Sequence, residues 1–82
     1  MIKPTVHFNG TSRERLSAAY VAADEAIRSA MEALREAEPN GRDYYTQGAA
    51  AVHTAIREHN ARMEKLRSVR VDLQELIEHV ER

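Results

Sequence analysis

The sequence predicts an all-α fold: an antiparallel two-helix hairpin with a short extended N-terminal segment, completing a four-helix bundle by oligomerisation. Three observations predict it. The composition is rich in Ala, Glu and Arg and only 5% aromatic, as long amphipathic helices are. Two long stretches repeat apolar residues at alternating spacings of three and four. Between them lies 39-PNGRDYYTQG-48, which carries one of the two prolines and two of the three glycines. At 82 residues the chain makes one domain, a size at which a single core is marginally stabilising and a partner subunit is often needed.

Residues 1–10 come first. In IKPTVHF, apolar Ile2, Pro4, Val6 and Phe8 alternate with polar Lys3, Thr5 and His7, the period of a half-buried extended segment. Pro4 lacks a ladder donor, so the segment is expected as an edge strand on a second copy or lying across the helices. Asn9-Gly10 breaks it.

A first helix is expected over 12–38. Thr11-Ser12-Arg13-Glu14 fits a capping box, with Thr11 as the cap and Glu14 reaching back. The seam reads Leu16, Tyr20, Ala23, Ile27, Ala30, Leu34 and Ala37, which puts small residues on alternate layers and predicts close helix packing there. Pro39 disfavours helical geometry at Glu38 and stops the helix.

The connector, 39–48, is longer than a helix hairpin needs. As a plain connector it would turn tightly at Asn40-Gly41 with positive φ, cap the next helix with Asp43 or Thr46, and cover the open end with Tyr44 and Tyr45. As a recognition site it offers Arg42 to fork onto a phosphate or carboxylate, Asp43 to orient it, and two tyrosine rings for stacking.

A second helix is expected over 49–80, with its seam at Val52, Ile56, His59, Met63, Leu66, Val69 or Arg70, Leu73, Ile77 and Val80. Ala26, Ala33, Ala55, Val71 and Leu76 widen the apolar face beyond one seam. An unaided hairpin would leave that surface wet, so a homo-oligomer, a dimer or higher, is expected.

Charge and motifs narrow the chemistry. The net charge is −1, so the molecule as a whole does not attract nucleic acid or membranes. Within the second helix, Arg57, Arg62, Lys65, Arg67 and Arg70 make a locally basic stretch followed by an acidic end. Ten of the twelve cationic side chains are Arg, the residue suited to bidentate contacts with carboxylates and phosphates. Arg57 and Arg62 are therefore taken as added ligands beside the connector.

There is no cysteine and no glycine-rich phosphate loop, nucleophile elbow or HExxH. His53 and His59 lie six apart, on different faces of a helix, so they cannot share a metal within it. His59 falls on the seam and is expected as a hydrogen-bonded core histidine; His79 is expected at the surface. No catalytic residue, metal site or cofactor is predicted. The start MIKPTVHFNG lacks an apolar signal core, and no run approaches membrane-spanning length, so a cytoplasmic protein is expected.

The run HFNGTS, PNGRDYYTQG and the pattern Glu58-His59-x-x-Arg62 together resemble small helical proteins carried by tailed phages and prophages. The resemblance covers most of the chain. It implies a protein of the host cell interior, in a class that includes minor virion and regulatory proteins and inhibitors of bacterial immunity; the expectation is such an inhibitor, acting either by sequestering a nucleotide-like signal in an oligomer or, as anti-CRISPR-like proteins do, by binding a host defence protein. A structural or assembly role is the third expectation.

Overall fold

The computed structural model describes residues 1–82 and contains helices but no β-strand. Three α-helices follow in order: α1 over Arg13–Arg35, a one-turn α2 over Gly41–Tyr44, and α3 over Ala49–Val80. A 3-10 turn over Tyr45–Gln47 joins the last two. The long helices α1 and α3 pack against each other as a hairpin.

The expected capping box is displaced by one residue. Ser12, in extended conformation, is the cap, and its hydroxyl accepts from the Arg15 amide at 3.2 Å. Glu14 stays within the first turn, where its charge meets the positive end of the helix. The other end comes three residues earlier than the sequence predicts. The amides of Glu36, Ala37 and Glu38 bond to carbonyls three residues back, so the helix tightens ahead of Pro39 instead of running on to Glu38.

The seam of α3 follows the expected positions. His59, Met63 and Val80 are buried, and Val52, Ile56, Leu66, Arg70, Leu73 and Ile77 are half-buried. Of the pair left open at the middle of the helix, Arg70 faces inward and Val69 is 44% exposed.

The seam of α1 differs from its expected register. Leu16, Tyr20, Ile27 and Leu34 hold their places, but Asp24 and Met31 are the buried residues, and Ala23, Ala30 and Ala37 are exposed. Two forces favour this rotation. Met31 buries more apolar area than an alanine could. Asp24 gains a fork from Arg70 across the hairpin: Nε donates to Oδ1 at 2.9 Å and Nη2 to Oδ2 at 3.3 Å, while Gln74 Nε2 donates to Oδ2 at 3.0 Å. The Arg70 hydrogen bond holds the Asp24 carboxyl below its usual range despite the opposing effect of desolvation.

The N-terminal segment is extended but unpaired as a strand. Pro4 and Val6 are half-buried, while Ile2 and Phe8 are almost fully exposed. His79 Nε2 lies 2.7 Å from the Pro4 carbonyl, so the segment is fixed against the end of α3, and His79 is partly covered by it. The chain reverses at Asn9-Gly10, where the Gly10 amide donates to the His7 carbonyl. Ser17 Oγ donates to Glu81 Oε1 at 2.6 Å and ties the C-terminus to α1.

The molecule measures 61 × 21 × 17 Å. Its radius of gyration is 18.3 Å, against about 12 Å for a compact chain of this length. Only five residues are buried, so the hairpin is a half-formed core.

Candidate functional site

The connector is folded. Asn40 is the cap of α2: its side-chain oxygen accepts from the Asp43 amide at 3.2 Å, and its side-chain nitrogen donates to Asp43 Oδ2 at 3.1 Å. The expected tight turn with positive φ at Asn40-Gly41 is absent, since Gly41 is the first residue of α2. The positive φ falls instead at Gly48, at 95°, where the chain swings from the 3-10 turn into α3. Neither Asp43 nor Thr46 caps α3. Gly48 occupies the cap position, and no side chain closes the first turn.

This fold opens a cleft of about 520 Å³ at the connector end of the hairpin. Ala37 and Pro39 come from the segment that follows α1. Tyr44 and Gln47 come from the connector, and Ala50, Ala51 and Thr54 from the first turns of α3. Glu58, His59 and Arg62, further along α3, complete the lining with Ala55. Its volume lies in the range of small-molecule sites, roughly 300 to 1,000 Å³.

The cleft lining carries one charge of each sign, Glu58 and Arg62, one helical turn apart on α3, and Glu58 is in no ion pair. Arg62 takes part in none of the ion pairs, which join Arg28 to Glu25, Arg67 to Glu64 and Arg70 to Asp24. Its guanidinium has no carboxylate partner, and Glu58 four residues earlier is the nearest acid along the helix. The first turn of α3, a helix of 32 residues without a side-chain cap, brings the positive end of its dipole to the same cleft. Tyr44 is half-buried in the wall and offers a ring. His59 is buried on the seam as expected, but no protein group hydrogen-bonds its ring, and its nitrogens are not sealed from solvent. It therefore serves as cleft lining as well as core.

The six residues singled out in the sequence separate into three groups. Tyr44 and Arg62 line the cleft together. Arg57 stands one contact away, donating from Nη2 to Thr54 Oγ1 at 3.2 Å. Asp43 is engaged by Asn40, and Arg42 and Tyr45 are exposed outside the lining, Tyr45 at 77%. Sequence reasoning missed Gln47, Thr54 and the alanines at the start of α3. For Ala51 and Thr54 the signal was present, because residues at spacings of three and four along α3 (51, 54, 55, 58, 62) share a face with Arg62, whereas Gln47 lies in the 3-10 turn, outside that period. No group of His, Asp and Glu is placed to hold a metal ion, and no helix is long and apolar enough to cross a membrane.

No protein-family model, curated protein or solved structure matches this chain.

Proposed function

We propose that this chain is a non-enzymatic binding protein whose cleft takes a nucleotide-like ligand, an aromatic ring carrying phosphate. The observation that carries the reading is the meeting of an unpaired Arg62, the uncapped start of α3 and the Tyr44 ring around one space. The first two favour an anion and the third a flat ring. Gln47 and Thr54 add hydrogen-bonding groups that can discriminate among bases or sugars. In the phage setting implied by the sequence resemblance, such a protein would sequester a host immune signal by mass action. Sequestration needs affinity and copy number and no chemical step.

A thermal-shift panel of linear and cyclic nucleotides tests this. At least one is expected to raise the melting temperature of the wild type. Arg62→Ala and Tyr44→Ala should fold and lose most of that shift, since a forked Arg contact and a stacked ring are together worth about 2 to 5 kcal/mol, or roughly thirty-fold to several-thousand-fold in affinity. Arg42→Ala and Tyr45→Ala, outside the lining, are expected to cost less. No shift with any nucleotide, or variants that bind as the wild type does, would remove the reading.

A second reading, docking on a host defence protein, draws on the opposite side of the hairpin. Arg35, Asn60 and Arg67 line a shallow groove there, beside the exposed Arg28–Glu25 and Arg67–Glu64 pairs. Ionic strength separates the two. Binding through exposed helix charges weakens steeply with salt, whereas capture in a partly desolvated cleft weakens modestly.

A further inference from the structure

The hairpin has two unlike faces. On the cleft side, Ala37 stands opposite Ala55 and Arg62. Counting back along α1 from Ala37 by alternate fours and threes reaches Ala33, Ala30, Ala26, Ala23 and Ala19, all exposed. Counting by sevens along α3 from Ala55 passes Arg62 and reaches Val69, 44% exposed, and the half-buried Leu76. Helical periodicity sets these residues on the side that carries the cleft. The other side carries the groove of Arg35, Asn60 and Arg67 and the two exposed ion pairs. On the cleft side the α1 half is an uninterrupted alanine stripe and the α3 half mixes apolar residues with Glu58 and Arg62, whereas the other side carries the ion pairs with Val21 and Val71 among them.

We infer that a second copy of this chain seats on the alanine face and completes a four-helix bundle with it. The occupant follows from area and charge. The chain exposes 6206 Å², roughly 1,200 Å² more than a compact monomer of its mass would, and a stable interface needs about 800 Å² from each partner. The face presents almost no charge along the length of α1, so a two-fold axis brings no like charges together there, and the net charge of −1 sets no general barrier. Alanines let helix axes approach to about 8 Å, which larger side chains on this stripe would prevent. A second hairpin of the same length covers the whole stripe. The stripe ends at the cleft, so the seated copy also walls the cleft's open side.

Sedimentation equilibrium at micromolar concentration tests this on the intact chain. The wild type should weigh twice its 9.3 kDa, and Ala30→Glu should weigh one chain. Val21→Glu, a charge at a site 42% exposed on the ionic side, should leave the dimer intact. A monomeric wild type, or a dimer that survives Ala30→Glu, would overturn the inference. Should Ala30→Glu fail to fold, thiol alkylation decides, because the chain has no native cysteine. The thiol of Ala30→Cys should react at least about tenfold more slowly than that of Val21→Cys, because interfaces exclude solvent from their centre. Equal rates would overturn the inference.

Discussion

The most informative single residue is Asp24, because one side chain explains how α1 is turned against α3. A carboxylate on a seam is costly unless it is paired, and the Arg70 fork with Gln74 supplies three hydrogen bonds to it. The Arg70 bond lowers the Asp24 pKa in the folded chain, so the unfolded chain binds that proton more readily. The pair's contribution is therefore fully present above the ordinary carboxylate pKa of about 3.9 and is lost as pH falls through the lower folded value. Urea melts taken at descending pH should show stability falling below about pH 4, and Asp24→Asn should be flatter over that window. An unchanged slope in the variant would show that other carboxylates set the acid limit. This residue also marks where sequence reading failed. Alternating spacings chose Ala23 over Asp24 because a charged residue does not look like core and Arg70 lies too far along the chain for its partnership to be visible, and the register so fixed at Ala23 carried Ala30 in place of Met31. The inward choice of Arg70 over Val69 was similarly open until the two helices could be seen together.

At the scale of the elements, caps and breaks decide the boundaries. Ser12→Ala should cost about 1 kcal/mol, as a lost N-cap does, while Thr11→Ala should be near neutral. The reverse order in thermal melts would restore the capping box at Thr11. Gly48 holds a φ of 95°, and a Cβ there would meet nothing within 4 Å, so Gly48→Ala tests backbone strain free of steric clash. A loss of about 1 kcal/mol is expected. Deleting residues 1–8 removes one hydrogen bond to His79 and the half-buried Pro4 and Val6, so it should cost about 1 to 3 kcal/mol in thermal or urea melts. The existence of both long helices and nearly the whole α3 seam could be read from periodicity. The short α2 and its 3-10 turn could not, since seven residues carry too few turns for a period, and Asn40 was read as a turn residue when it is a cap.

For the whole molecule, the governing fact is an elongated hairpin with five buried residues and a cleft at one end. The excess of apolar face over one seam was legible in the alanine and valine positions. Which face it occupied was not, because that depended on the register set by Asp24 and Met31. The site was legible in part. Tyr44 and Arg62 could be named, but their meeting required the connector to fold back over the first turns of α3. The central claim is that this meeting place binds ligand, and the most direct measurement is an amide and side-chain NMR titration of the wild type with the nucleotide that gives the largest thermal shift. The account predicts saturable shifts confined to Tyr44, Gln47, Ala50, Ala51, Thr54, His59 and Arg62. Shifts centred on Arg28, Arg35, Asn60 and Arg67, or none at millimolar nucleotide, would contradict it.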